Sequence, residues 1–200
     1  LRMAYLSFSS SGILKTLCDT TIKKNNAKLV LIVDKGNKSD ERKLEKLTTL
    51  AACKPAKKFI DNGTANYPII EYRGQNGGLG YAHNKIIMAS YKSNKDKVTL
   101  VYSSANMSSG TTLHHENWHF LTTSKKSYLA QAHVCILDGM MDHSNSIRGS
   151  RSAGRASVTG INNFKNFVNK CRKEIDVEEE EDIKLSIVPA DGKKTMDNIV

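Results

Sequence analysis

The chain has 200 residues, enough for one full-sized core, that is one domain and part of another. It is 39% hydrophobic and 25% charged, an ordinary globular mixture that excludes a collagen, a coiled-coil rod and a disordered tail. Thirty Lys and Arg stand against 20 Asp and Glu, and seven of those acids gather between Glu174 and Asp182 with no base among them. The remainder is therefore strongly basic and favours polyanionic partners, nucleic acid or anionic lipid headgroups.

Leu1 to Phe8 is apolar and aromatic enough for a buried strand, and Ser9, Ser10 and Ser11 follow as N-cap candidates. Ile13, Leu14, Leu17, Cys18 and Ile22 recur at helical spacing and predict a helix over Gly12–Lys24. Leu29–Val33 is the longest aliphatic run, far too short to span a bilayer. It has the continuous character of a central parallel strand covered on both faces, closed by Asp34 and Gly36. A second helix starts near Ser39, with Asp40 and Glu41 in its first turn and Leu44, Leu47, Leu50 and Ala51 inward; Pro55 stops it. Gly74–Gly80 is a loop. Ile86–Met88, Val98–Tyr102 and Asn117–Thr122 read as strands, and Ser127–Met141 as a helix. Ser144–Gly160, rich in Ser, Gly and Arg, reads as a flexible loop, and Ile161–Cys171 as a short helix. Ile183–Val188 reads as a fresh strand, and Thr195–Val200 as the start of another helix. The fold class is α/β, a mixed β-sheet flanked by helices.

Cys18, Cys53, Cys135 and Cys171 are widely spaced with no CxxC. Zinc is disfavoured, while disulfides of an exported protein and buried free thiols both stay open. His114, His115 and His119 lack Cys or Asp at ligand spacing and are assigned to packing or to lining a pocket rather than to a metal. Arg148, Arg151 and Arg155 are assigned to a solvated loop.

The chemistry lies in the middle of the chain. His83 and Lys85 open a strand, and alternation puts both on one side. Some twenty residues on, Ser104 and Asn106 follow the next strand, and Glu116 precedes the one after. A nucleophile or base, a cation and neutral hydrogen-bonding groups suit a phosphoryl group whose charge grows in the transition state.

In this order the residues resemble the phospholipase D superfamily, whose half-site reads HxK(x)4D and then GSxN. His83, Lys85, Ser104 and Asn106 match it; the family's Asp falls on Ser90 and its Gly on Ser103. The resemblance runs roughly from Leu1 to Thr122 and is strongest over Tyr81–Phe120. It implies a phospholipase D-like half-domain in which His83 attacks phosphorus and forms a phosphohistidine. Glu116 would hold the other ring nitrogen, Lys85 and Asn106 would bind phosphate oxygens, and Ser104 would support them. No metal or cofactor is implied. The substrate is a phosphodiester, of phospholipid or, alternatively, of nucleic acid; a non-catalytic nucleic-acid-binding relative is the third reading. The chain has no second HxK. The other half-site would then come from a following repeat or from a second identical chain. The corresponding layout is a first catalytic repeat over 1–143, a loop, helix and acidic linker over 144–182, and the start of a second repeat over 183–200. An exported, periplasmic or membrane-peripheral location all fit.

Overall fold

A computed structural model describes residues 1–55, 67–74, 82–142, 158–177, 185–187, 190 and 191. A six-stranded sheet runs through it in the order β3-β2-β1-β4-β5-β6. The strands are β1 (Arg2–Tyr5), β2 (Val30–Asp34), β3 (Ile69–Arg73), β4 (Lys85–Ser90), β5 (Lys97–Ser103) and β6 (Trp118–Ser124). The first three are mutually parallel, and β4, β5 and β6 continue antiparallel, so the sheet is mixed.

Alternation along the strands separates two cores. Met3, Tyr5, Leu31 and Val33 meet Leu14, Leu17, Ile22, Leu47 and Leu50 on one face. These come from α1 (Ser11–Thr16), its π-helical continuation Leu17–Lys24, and α3 (Glu41–Ala51). Ala4, Ile32, Met88, Val98 and Leu100 meet Leu129, Ile136, Leu137, Met140, Phe164 and Val168 on the other. These belong to α4 (Tyr128–Asp142) and α5 (Val158–Lys173). The last two helices pack without room to spare at Gly139, where a Cβ would stand 3.0 Å from Val168 and 3.1 Å from Phe164.

Several boundaries differ from the sequence expectation. Strand β1 ends at Tyr5, and Phe8 instead forms an isolated bridge with Met107. Ser10 is the N-cap of α1, its hydroxyl accepting from Ile13 N. A short helix α2 (Gly36–Ser39) precedes α3, and Asp40 is the cap of α3 rather than part of its first turn, accepting from Arg42 N and Lys43 N. Helix α5 begins at Val158, so Val158–Gly160, expected in the loop, are helical, and the rest of that expected loop lies outside the described residues. Strand β3 was not anticipated. As an edge strand it lays Ile70 and Tyr72 against one core and sends Arg73 to Glu71 and to Met141 O. Leu185–Ile187 form no strand. Leu185 and Ile187 pack against the α4–α5 core, and Arg172 holds Leu185 O at 3.0 Å and Asp191 at 2.9 Å. Residues 183, 184 and 188, the arginines 148, 151 and 155 and the helix expected over 195–200 lie outside the described residues.

The cysteines pair as Cys18–Cys53 and Cys135–Cys171. The first joins the π-helical segment to the end of α3, and the second joins α4 to α5. Each link stays within one helical layer.

His133 of α4 is wholly buried. Its Nδ1 lies 2.7 Å from Leu129 O, and its Nε2 lies 2.8 Å from the Tyr102 hydroxyl. A carbonyl only accepts, so the proton sits on Nδ1 and Nε2 accepts from Tyr102. Burial holds the imidazole below its ordinary value. In the unfolded chain it takes up a proton as the pH falls through about 6.5, which the folded chain resists. Stability is therefore whole above that value and is lost as the pH falls below it. Urea midpoints at neutral pH and near pH 5 should differ more in the native chain than in a His133→Gln variant. Equal acid losses in the two proteins would rule this source out.

Candidate active site

Chain order and sheet order together select one end of the sheet. From β1 the chain steps to β2 and β3 on one side, then returns to place β4 on the other. The strand order thus reverses between β1 and β4, and in open α/β sheets the crevice at the carboxyl ends of the strands beside such a reversal is where ligands bind. The ends of β1, β2, β3 and β5 and the starts of β4 and β6 all lie at this end. All the residues singled out for chemistry lie here.

His83 is exposed, just before β4, and Lys85 is buried at its first position. The Lys85 ammonium lies 3.5 Å from His83 Nε2 and donates to His83 O at 3.1 Å. Alternation does place both side chains on one side. Burial pulls the Lys85 ammonium below its ordinary value, and the Glu116 carboxylate opposes this. On the neighbouring strand Ser103 pairs with Trp118, so Ser104 comes opposite Asn117. Ser104 N donates to Asn117 O at 3.1 Å, and Asn117 N to Ser104 Oγ at 3.0 Å. The Ser104 hydroxyl itself donates to Glu116 Oε2. Asn106 turns its carbonyl toward Ser7 N at 3.3 Å, leaving the amide donors free of described partners.

One expected contact is absent. Glu116 does not hydrogen-bond the His83 ring among the described residues; its carboxylate takes Ser104 instead. The β5–β6 register sets this, since it brings the residue before Asn117 alongside the end of β5. At the two positions that depart from the family pattern, the consequences are small. Ser90 ends β4 at the opposite end of the sheet, and the Ser103 hydroxyl closes the turn by donating to Ala105 O at 3.0 Å. His114 and His115 precede β6, and His119 lies exposed within it. Among the described residues no cluster of His, Cys, Asp or Glu has the makings of a metal site.

Two positioning residues were not foreseen. Asp34, buried at the end of β2, accepts from Ala82 N at 2.9 Å and from Gly36 N at 2.8 Å, and so fixes the backbone that leads into His83. A side chain at Gly36 would press its Cβ to 3.0 Å from that carboxylate. Asn37, also buried, donates to Leu6 O and Asp34 O and accepts from Phe8 N, tying the exits of β1 and β2 together. The only signal of either in the sequence is a polar residue placed where a buried run meets a glycine.

Beside these groups the surface is apolar. Trp118 and Phe120 are 38% and 72% exposed on β6, and Leu113 just before it is 84% exposed. Two concavities of about 290 and 640 Å³ lie elsewhere. The first is between α1 and α3 and the second at the opposite end of the sheet, and neither includes His83, Lys85, Ser104, Asn106 or Glu116. The chain was compared with protein-family models, curated proteins and solved structures, and it matches none of them.

Proposed function

We propose that the chain carries one half-site of a phospholipase D-type phosphodiesterase that acts on phospholipid phosphodiesters through a covalent phosphohistidine. The observation that carries this reading is the pairing of an exposed imidazole with a buried lysine ammonium, Nε2 to Nζ 3.5 Å, at the strand-order reversal. The Asn106 amide, whose donors have no partner among the described residues, is on an adjoining loop.

In the proposed reaction His83 Nε2 attacks phosphorus, a P–N bond forms and the bond to the leaving oxygen breaks. Lys85 and Asn106 take the charge that grows on the non-bridging oxygens. The leaving oxygen departs from the face opposite His83, so its proton comes from a second histidine across the pocket. The second histidine, now unprotonated, takes a proton from a water, which attacks phosphorus and breaks the P–N bond. Positioned proton transfer of this kind is worth roughly 10²–10⁴-fold, so the half-site needs its counterpart, from a following repeat or a second copy of the chain. Trp118, Phe120 and Leu113 at the rim favour an amphipathic substrate. The formal charge of +10 favours a nucleic acid instead, which is the second reading.

An activated aryl phosphodiester tests the first step by itself, because its leaving group departs without an acid. A covalent adduct on His83 is expected, detected by mass spectrometry after rapid quenching. Turnover of phosphatidylcholine vesicles should appear only with the second half-site present, rise with dimer in sedimentation if the chain self-associates, and persist in chelator. Absence of an adduct on His83 would overturn the reading. Cleavage of DNA without cleavage of vesicles would replace the substrate.

A further inference from the structure

The end of β1 carries a side chain that the site as described leaves idle. Tyr5 is wholly buried, and among the described residues its hydroxyl makes no hydrogen bond of full geometry, although Ser103 comes near it. Buried hydroxyls are nearly always bonded, because an unmet one is destabilising, so an exception calls for a reason. Tyr5 stands directly opposite Lys85 in the β1–β4 pair, so the two side chains share a face and start about 5 Å apart at Cβ. Ser103, at the end of the next strand, is the polar neighbour that acts on the phenol. Its own proton goes to Ala105 O at 3.0 Å, which leaves the Ser103 oxygen able to accept. The Tyr5 ring is set edge-on to Phe8 with centroids 6.0 Å apart. Phe8 N is held in turn by Asn37 at 3.1 Å, so the ring is fixed in place.

Lys85 has the converse difficulty. Its ammonium rests against His83 Nε2, the lone pair that must reach phosphorus. We infer that Tyr5 is a positioning residue that draws Lys85 away from His83. In the substrate-bound site the ammonium gives one N–H to the Tyr5 oxygen and another to a phosphoryl oxygen, while the Tyr5 O–H turns to Ser103 Oγ. Among the described residues, His83 just before its own strand and Tyr5 on β1 face Lys85, and the Glu116 carboxylate acts on it electrostatically from the β6 side. Tyr5 is uncharged, so it can hold the ammonium without neutralising it. The purpose of this arrangement rests on the phosphodiesterase reading, but its geometry does not.

The test is Tyr5→Phe in the full chain, which removes the hydroxyl and keeps the ring. Thermal stability should be equal or higher, because the unmet group is gone. Turnover of the activated diester should fall about 10- to 100-fold, the effect of losing one hydrogen bond to a charged group. The Lys85 titration, followed by NMR of its ε-carbon with saturating inorganic phosphate in the site, should move further down, since an oxygen that favoured the charged form is lost. Ser103→Ala, which takes away the acceptor for the phenol, should move Lys85 in the same direction and serves if Tyr5→Phe fails to fold. Unchanged turnover with an unchanged Lys85 titration would overturn the inference. If the native chain forms no adduct, the phosphodiesterase reading falls. The Lys85 titration in saturating inorganic phosphate then decides the inference without it: a downward shift in Tyr5→Phe upholds the contact, and no shift overturns it.

Discussion

Alanine at His83 should abolish turnover of every phosphodiester the chain accepts, by about 10⁴-fold or more, as when a nucleophile is removed from a covalent mechanism. The fold should not notice. His83 is exposed and its ring has no described partner but Lys85, and substitutions at such positions usually change stability by no more than about 0.5 kcal/mol. Lys85→Met should behave differently: it keeps much of the buried volume but removes the cation, so phosphate binding and turnover fall together. Isothermal titration with inorganic phosphate, run beside steady-state kinetics, separates the two. His83→Ala should still bind phosphate, and Lys85→Met should not. Near-normal turnover in His83→Ala would sink the assignment of the site.

The second large effect concerns stability. Cys18–Cys53 and Cys135–Cys171 close loops of 35 and 36 residues. Chain entropy alone gives each link about 4 kcal/mol, in a chain whose total stability should be about 5–15 kcal/mol. Replacing either pair with alanines should therefore lower the urea midpoint severely. Because the links lie on opposite faces of the sheet, their losses should add, and the fourfold variant should be mostly unfolded near body temperature. A loss under about 1 kcal/mol for either pair would show that the unfolded chain is already compact around that link.

These two expectations differ in how far the sequence announces them. The HxK pair and its common side are visible from alternation alone, and Leu29–Val33 is recognisable as a central strand by its unbroken apolar run. The disulfides are not readable in the same way, since four cysteines allow three pairings and spacing does not choose among them. Strand β3 escaped because only Ile70 and Tyr72 face a core, and its Glu71 and Arg73 satisfy each other. The partner of Glu116 was misread for a related reason. It depends on which residue of β5 faces which of β6, and no pattern within either strand records that register. Asp34 and Asn37 act through backbone atoms of distant segments, which a one-dimensional reading does not bring together.

The sheet's alternation also determines where this chain can change length. Between β4 and β5, residues 91–96 form an exposed connection that faces no core, and insertions there should leave both layers as they are. Losing one residue inside β4 is a different event. It would turn Lys85 from the face it shares with Tyr5 to the face packed by α4, and send Ile86 and Met88 the other way. One deletion would thus press a charge among apolar side chains, unpack a core and dismantle the site at once. Over evolutionary time the strands carrying this site can exchange side chains but not gain or lose residues, and variation in length is left to the loops.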